Sequence, residues 1–174
     1  MKDQRLELFL QREKIAERVG ELAREISDDY REKQLIVVCV LKGALFFFVD
    51  LLRHLSISPC IDFVAASSYH RQNSSGRVSL SPVFSASFRD KDVLIVEDII
   101  DTGLTYRALA NFFSIREPAS LRVCALLDKP SQRRTELMKL DYVGFTVPDL
   151  FLVGYGLDYE EQYRELQDIH VLLT

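Results

Sequence analysis

The chain has 174 residues, 48% of them hydrophobic, which is enough to fill one core and short for two ordinary domains. Its formal net charge of −4 gives no general attraction for nucleic acid, so an anionic ligand has to be held by local amides, a few cations or a metal. The longest apolar runs, such as Ala44 to Val49, fall far short of the ~20 residues that span a bilayer, and no N-terminal stretch joins a basic region to a long apolar segment. A single cytoplasmic domain covering residues 1–174 is expected, with no membrane or nucleic-acid partner.

Leu6 to Leu10 reads as a short strand, after which Ile15, Val19, Leu22, Ile26 and Tyr30 recur at the spacing of an amphipathic covering helix. Leu35 to Leu41 is a near-continuous apolar run, and beyond Lys42-Gly43 a mostly apolar helix runs from Ala44 to Leu55, with Arg53 and His54 in its last turn. Phe46, Phe47 and Phe48 point in more directions than one core face requires, so this helix is expected at a subunit interface of a homodimer or homotetramer. Cys60 to Ala66 gives another strand. Tyr69 to Val78 contains Asn73-Ser74-Ser75-Gly76 and has no apolar period; it reads as a loop, either a lid or a solvated hairpin tip. Val93 to Val96 and Leu121 to Leu127 are strands on either side of a helix from Tyr106 to Arg116.

This alternation indicates a mainly parallel α/β sheet flanked by helices. From Tyr142 onward, Val143 to Val147 and Phe151 to Val153 are short strand-like segments without long helices between them, and Ile169 to Leu173 returns as a strand. The chain ends, about 1–12 and 142–174, are expected to build a small hood over the C-terminal edge of the sheet. Cys39, Cys60 and Cys124 lie in apolar, strand-like surroundings without zinc-site spacing and read as buried free thiols.

The densest chemistry lies in Val93-Leu94-Ile95-Val96-Glu97-Asp98-Ile99-Ile100-Asp101-Thr102-Gly103-Leu104-Thr105. Four apolar residues in succession suit a strand covered on both faces, and such strands end at a ligand crevice. Glu97 and Asp98, just past the strand, can hold ribose hydroxyls or a divalent metal. Thr102 to Thr105 present backbone N–H groups and hydroxyls at a helix N-terminus, where phosphate is favoured. The combination is complementary to a phosphoribose. Asp101 is either a helix N-cap or, if desolvated, a proton acceptor. Lys42-Gly43, at another strand-to-helix junction, is either an anion-binding turn or a tight turn with a surface lysine. By periodicity alone Phe151 is a packing residue and Arg164 belongs to a helix surface.

The same stretch resembles the phosphoribosyl diphosphate (PRPP) signature of the type I phosphoribosyltransferases, in which two acids are followed by a short apolar pair and D-T-G-x-T. Val40-Leu41-Lys42-Gly43-Ala44, Ser67-Ser68-Tyr69, Leu126-Leu127-Asp128-Lys129-Pro130 and Phe151 to Tyr159 resemble the hypoxanthine-guanine branch, in the family's order along nearly the whole chain. The resemblance implies the type I phosphoribosyltransferase fold and a magnesium-dependent purine salvage reaction, in which PRPP and hypoxanthine or guanine give the nucleoside monophosphate and diphosphate. It places Glu97 and Asp98 at the ribose hydroxyls and metal, Asp101 as general base, and Thr102, Gly103, Leu104 and Thr105 around the 5'-phosphate. It places Lys42-Gly43, with an often cis peptide, and Arg164 at the diphosphate. Lys129, Phe151, Leu152 and Asp158 fall at the purine, Asp158 also as a magnesium ligand, and Ser68 and Tyr69 in a lid.

An ammonium donates but cannot accept, so Lys129 favours a 6-oxopurine over adenine. Leu104 stands where the family often has Lys, which leaves one fewer cation for the phosphate. Two other readings of the same pattern are a PRPP-sensing RNA-binding regulator of pyrimidine genes and a xanthine-preferring transferase. The acidic chain without an Arg/Lys run argues against the first.

Overall fold

The computed structural model describes residues 5–68, 78–84, 87–132 and 140–173. In chain order these form β1 (Arg5–Leu10), α1 (Arg12–Asp29), β2 (Leu35–Leu41), α2 (Leu45–His54), β3 (Cys60–Ser68), β4 (Val78–Val83), β5 (Asp92–Ile100), α3 (Leu104–Ser114), β6 (Ser120–Asp128), β7 (Tyr142–Thr146), β8 (Leu152–Val153) and β9 (Ile169–Leu173). None of the described helices is long and apolar enough to cross a bilayer.

The apolar runs of β2 and β5 are buried on both faces because alternate side chains feed two cores. Leu35, Val37 and Cys39 of β2 join Leu94 and Val96 of β5 in a core completed by Ile15, Val19, Leu22 and Ile26 of α1 and by Phe47, Phe48 and Leu51 of α2. Ile36, Val38 and Val40 join Val93 and Ile95 in the other, with Leu109 and Phe113 of α3 and Phe88. Phe84, Phe88, Phe112 and Phe113 pack there with ring centroids 4.7–5.7 Å apart.

Six strands form one sheet in the order β4-β3-β2-β5-β6-β7, parallel except for β4, which runs antiparallel to β3. From β2 the chain moves outward to β3, then returns to lay β5 on the other side of β2 and continues away to β6 and β7. The order therefore reverses between β2 and β5, and the crevice beyond their C-terminal ends is where this architecture places ligands. β1, β9 and β8 form a separate antiparallel sheet of three strands. It is tied to the rest by the core residues Leu152, Tyr155, Leu157 and Ile169.

Several expectations change. β7 pairs with β6 in the main sheet, so Tyr142–Thr146 leaves the expected hood; its parallel register with Cys124 to Asp128 captures it. β5 continues four residues beyond Val96, because β6 keeps pairing with it as far as Ile100↔Asp128. Glu97 and Asp98 are thus strand residues and not residues after the strand. β4 has no clear sequence signal, since Pro82 and two serines separate its few apolar residues; as an edge strand it tolerates the proline. Cys39 and Cys124 are buried free thiols, but Cys60, at the start of β3, is exposed. Of the three phenylalanines of α2, two are buried and Phe46 is 42% exposed. Arg164 lies in a series of turns and not on a helix.

Candidate active site

The crevice at the β2/β5 switch is a cleft of about 300 Å³ whose walls include Lys42, Gly43, Glu97, Asp98, Asp101, Thr102, Gly103, Thr105, Asp158 and Arg164. One wall is the β5–α3 connection. Gly103, at φ 79°, is the residue before the first turn of α3, and this left-handed conformation is one that a side chain disfavours. It brings the start of α3 to the cleft, where Thr102, Gly103 and Thr105 are lining residues and the Leu104 N–H donates to Thr102 Oγ1 at 3.4 Å. Leu104 is in that turn but does not line the cleft. Asp101 is not the N-cap, a position that Gly103 takes. Its Oδ1 is buried without a hydrogen-bond partner, an acceptor left over for a ligand.

The second wall is the β2–α2 junction, where the Leu41–Lys42 peptide is cis. Gly43 packs so closely on Asp98 that a methyl group at its Cα would overlap the carboxylate. The third wall comes from the turn after β8. Gly156, at φ 102°, lies against the Gly43 carbonyl, and a methyl group there would overlap that oxygen. Arg164 donates to the Gly156 carbonyl at 2.7 Å and pairs with Asp158 Oδ1 at 2.9 Å, while Asp158 Oδ2 accepts the Glu161 N–H at 2.9 Å. Lys42 Nζ donates to Glu161 Oε2 at 2.9 Å.

Two carboxylates sit at the floor. Glu97 is 3% exposed, and its Oε1 has no partner. Burial, with the adjacent Asp98 charge adding to it, pushes its pKa well above the usual carboxylate range. Burial pushes Asp98 up to about 6, opposed by backbone hydrogen bonds and Arg164. Cys39 behind them is held as a thiol, raised to about 12 by burial and by Glu97, so it offers no nucleophile. Among the described residues no three His, Cys, Asp or Glu side chains converge into a metal-holding group.

The remaining expected residues form a second group beside the cleft. Lys129 is 7% exposed; its Nζ donates to the Leu150 carbonyl at 2.9 Å and lies 3.6 Å from Asp149 Oδ1. Its backbone N–H donates to Ile100, a cleft residue, at 2.9 Å. Phe151 is 51% exposed and meets Tyr159 edge-on at 5.6 Å, and Leu152 is buried in β8. Lys129, Phe151 and Leu152 do not line the cleft itself. The side chain of Ser68, together with Tyr69 and the loop up to residue 77, lies outside the described residues.

Residues not expected from sequence also take part. Tyr106 lines the cleft from the first turn of α3, three positions after Gly103, a spacing that could have flagged it. Glu161 touches both Lys42 and Arg164, but only the tertiary fold brings residue 42 to it.

A model of the phosphoribosyl transferase domain matches residues 7–160. A hypoxanthine-guanine phosphoribosyltransferase of Bacillus subtilis (strain 168) is 43% identical over 166 residues, which cover 95% of this chain and 92% of that protein. A hypoxanthine-guanine-xanthine phosphoribosyltransferase of Tritrichomonas foetus is 41% identical over 158 residues, covering 91% of this chain and 86% of that one. The crystal structure of a hypoxanthine-guanine phosphoribosyltransferase from Bacillus anthracis str. 'Ames Ancestor' has a TM-score of 0.91 at 39% identity, covering 99% of this chain and 100% of that chain. Switch-point cleft, helix start at its wall and sequence kinship agree, and the chain belongs to the phosphoribosyl transferase family, in its hypoxanthine-guanine branch.

Proposed function

We propose that the protein transfers the 5-phosphoribosyl group from PRPP to hypoxanthine or guanine, giving the nucleoside 5'-monophosphate and diphosphate in purine salvage. The observation that carries this reading is the joining, in one cleft, of the α3 N-terminus, the Glu97–Asp98 pair and the Lys42 and Arg164 cations. The 5'-phosphate sits on the backbone N–H groups and hydroxyls from Thr102 to Thr105, where the helix start supplies the positive charge that Leu104 does not. Asp98 and Glu97 accept from the ribose hydroxyls. Lys42, the Gly43 N–H and Arg164 hold the diphosphate, and their charge favours its departure from the anomeric carbon.

The carboxylates suit a hard divalent cation, and the unpartnered Glu97 Oε1 and the raised Asp98 are acceptors that magnesium would satisfy. Glu97, Asp98 and Asp158 are the residues that would hold it, with substrate oxygens and water, since they do not form a closed ligand set by themselves. When bound, magnesium neutralises diphosphate charge and orients it. Asp101, with a free acceptor oxygen, takes the proton from the purine nitrogen as the new bond forms. Lys129 donates to the 6-oxo group, exchanging its Leu150 contact for the base, while Phe151 stacks on the purine, the Leu152 backbone reads its edge and Ser68 and Tyr69 close over it.

The half-exposed Leu45 and Phe46 are where α2 would meet another subunit, so a homodimer or homotetramer is part of the proposal; light scattering at micromolar concentration reads it, and a monomer would refute it. The reaction is tested by supplying PRPP and magnesium with hypoxanthine, guanine, xanthine and adenine in parallel. Xanthine belongs in the set because the Tritrichomonas foetus relative is named for it as well. Nucleotide from hypoxanthine or guanine is expected. Turnover of adenine alone, or of no base, sinks the assignment.

A further inference from the structure

Lys42 and Arg164 come from different elements, yet both end on one carboxylate oxygen. Lys42 Nζ is 2.9 Å and Arg164 Nη2 is 3.4 Å from Glu161 Oε2. Glu161 does not line the cleft, and its side chain is 65% exposed, so neither burial nor packing accounts for its placement. The backbone does. Glu160 and Glu161 have positive φ, at 51° and 62°, in a turn closed by paired hydrogen bonds between Tyr159 and Gln162, and Tyr163 just after it has φ 75°. The Asp158 carboxylate fixes the Glu161 N–H at 2.9 Å. Residues other than glycine are rarely held this way except where the surroundings require it, and such turns cluster at ligand clamps. The Nε of Arg164 is buried without a partner, so its guanidinium retains a donor that Glu161 does not use.

We propose that Glu161 is a built-in competitor for the diphosphate site. Its carboxylate neutralises Lys42 and shares Arg164 with Asp158 in the ligand-free chain, gives way to the diphosphate of PRPP, and returns to the two cations as product diphosphate leaves. This rests on the reading of Lys42 and Arg164 as the diphosphate cations. A diphosphate brings several anionic oxygens against one carboxylate, and an exposed ion pair is weak enough to be displaced. Without the competitor, the same cations would hold the product longer.

The test is calorimetric titration of the full chain with magnesium diphosphate, together with product inhibition by diphosphate during nucleotide synthesis. In Glu161→Gln both Kd and Ki fall by about two- to five-fold, the range that an exposed ion pair supports. Glu161→Ala, which leaves no amide to hold Lys42, moves in the same direction. Lys42→Met costs more affinity in the Glu161→Gln background than in the wild type, because only there is the ammonium unshared; a merely structural Glu161 would not produce that difference. Equal or weaker diphosphate binding in Glu161→Gln, or an identical cost of Lys42→Met in both backgrounds, overturns the proposal. A chain that forms no nucleotide from any base fails the transferase reading whatever these titrations give. One that forms nucleotide but gains no diphosphate affinity in Glu161→Gln loses the competitor role alone.

Discussion

At the scale of single residues, the two acids that matter most are prepared differently. Asp101 keeps a buried acceptor oxygen free, so its replacement by Asn removes a proton acceptor without changing shape. Asp101→Asn is expected to lower kcat by about 10²-fold or more while PRPP still binds, read by steady-state kinetics beside a PRPP titration. Asp98 titrates near 6 in the folded chain against 3.8 for the ordinary side chain, because burial disfavours its charge. Between those values the folded state holds more protons than the unfolded one, so stability falls as pH rises from about 4 through 6. Glu97 is shifted in the same direction. The ligand-free protein should therefore lose on the order of 2 kcal/mol through Asp98 over that window, and Asp98→Asn should remove that share. Urea midpoints at pH 4.5 and 7.5 measure it; the same pH slope in variant and wild type would rule out the burial of Asp98 as the cause.

Among the elements, α2 shows how a uniformly apolar helix divides its duties. Phe47, Phe48 and Leu51 face the core, while Leu45 and Phe46 at its start are 40% and 42% exposed. Phe47→Ala should cost about 3–5 kcal/mol by opening a cavity in a filled core. Phe46→Ala, at a site where little closes around it, should cost about 0.5 kcal/mol. Denaturant titration of the two variants checks the contrast, and similar losses would mean that the helix is seated differently. The helix was legible from its apolar run and basic last turn. Which phenylalanine faces outward was not, because three adjacent aromatics have no period that selects a face.

At the scale of the whole molecule, the cleft depends on two turns, one after each of β2 and β8, meeting through glycines. Gly156 touches the Gly43 carbonyl, and Gly43 in turn touches the Asp98 carboxylate, so the turn after β8 sits on the Lys42–Gly43 turn and through it on the floor of the cleft. In Gly156→Ala the added methyl meets backbone, and the positive φ disfavours it as well. Loss of about 2 kcal/mol of stability and a tenfold or greater weakening of diphosphate binding are expected together, since both follow from displacing the Lys42–Gly43 turn. Thermal melting with diphosphate titration tests this; a variant that binds as tightly as wild type would show that the junction is not rigid.

Local chemistry is what the amino-acid order determined unaided. The unbroken apolar runs of β2 and β5 require cover on both faces, and alternating strands and helices require a mainly parallel sheet. A buried strand leading into Glu97-Asp98 and Asp101-Thr102-Gly103 requires a turn and a helix start at the strand's end. Each of these follows from residues adjacent in the chain. The tertiary structure decided what adjacency cannot encode: that β5 runs on through Asp98 because β6 extends to pair with it, and that β7 joins the main sheet. It also decided that Glu97 is buried without a partner for one oxygen, and that Lys42 and Arg164, 122 positions apart (164 − 42) in the sequence, share Glu161. Burial and ion pairing are properties of surroundings assembled from distant segments, and those exist only once the sheet order has reversed between β2 and β5.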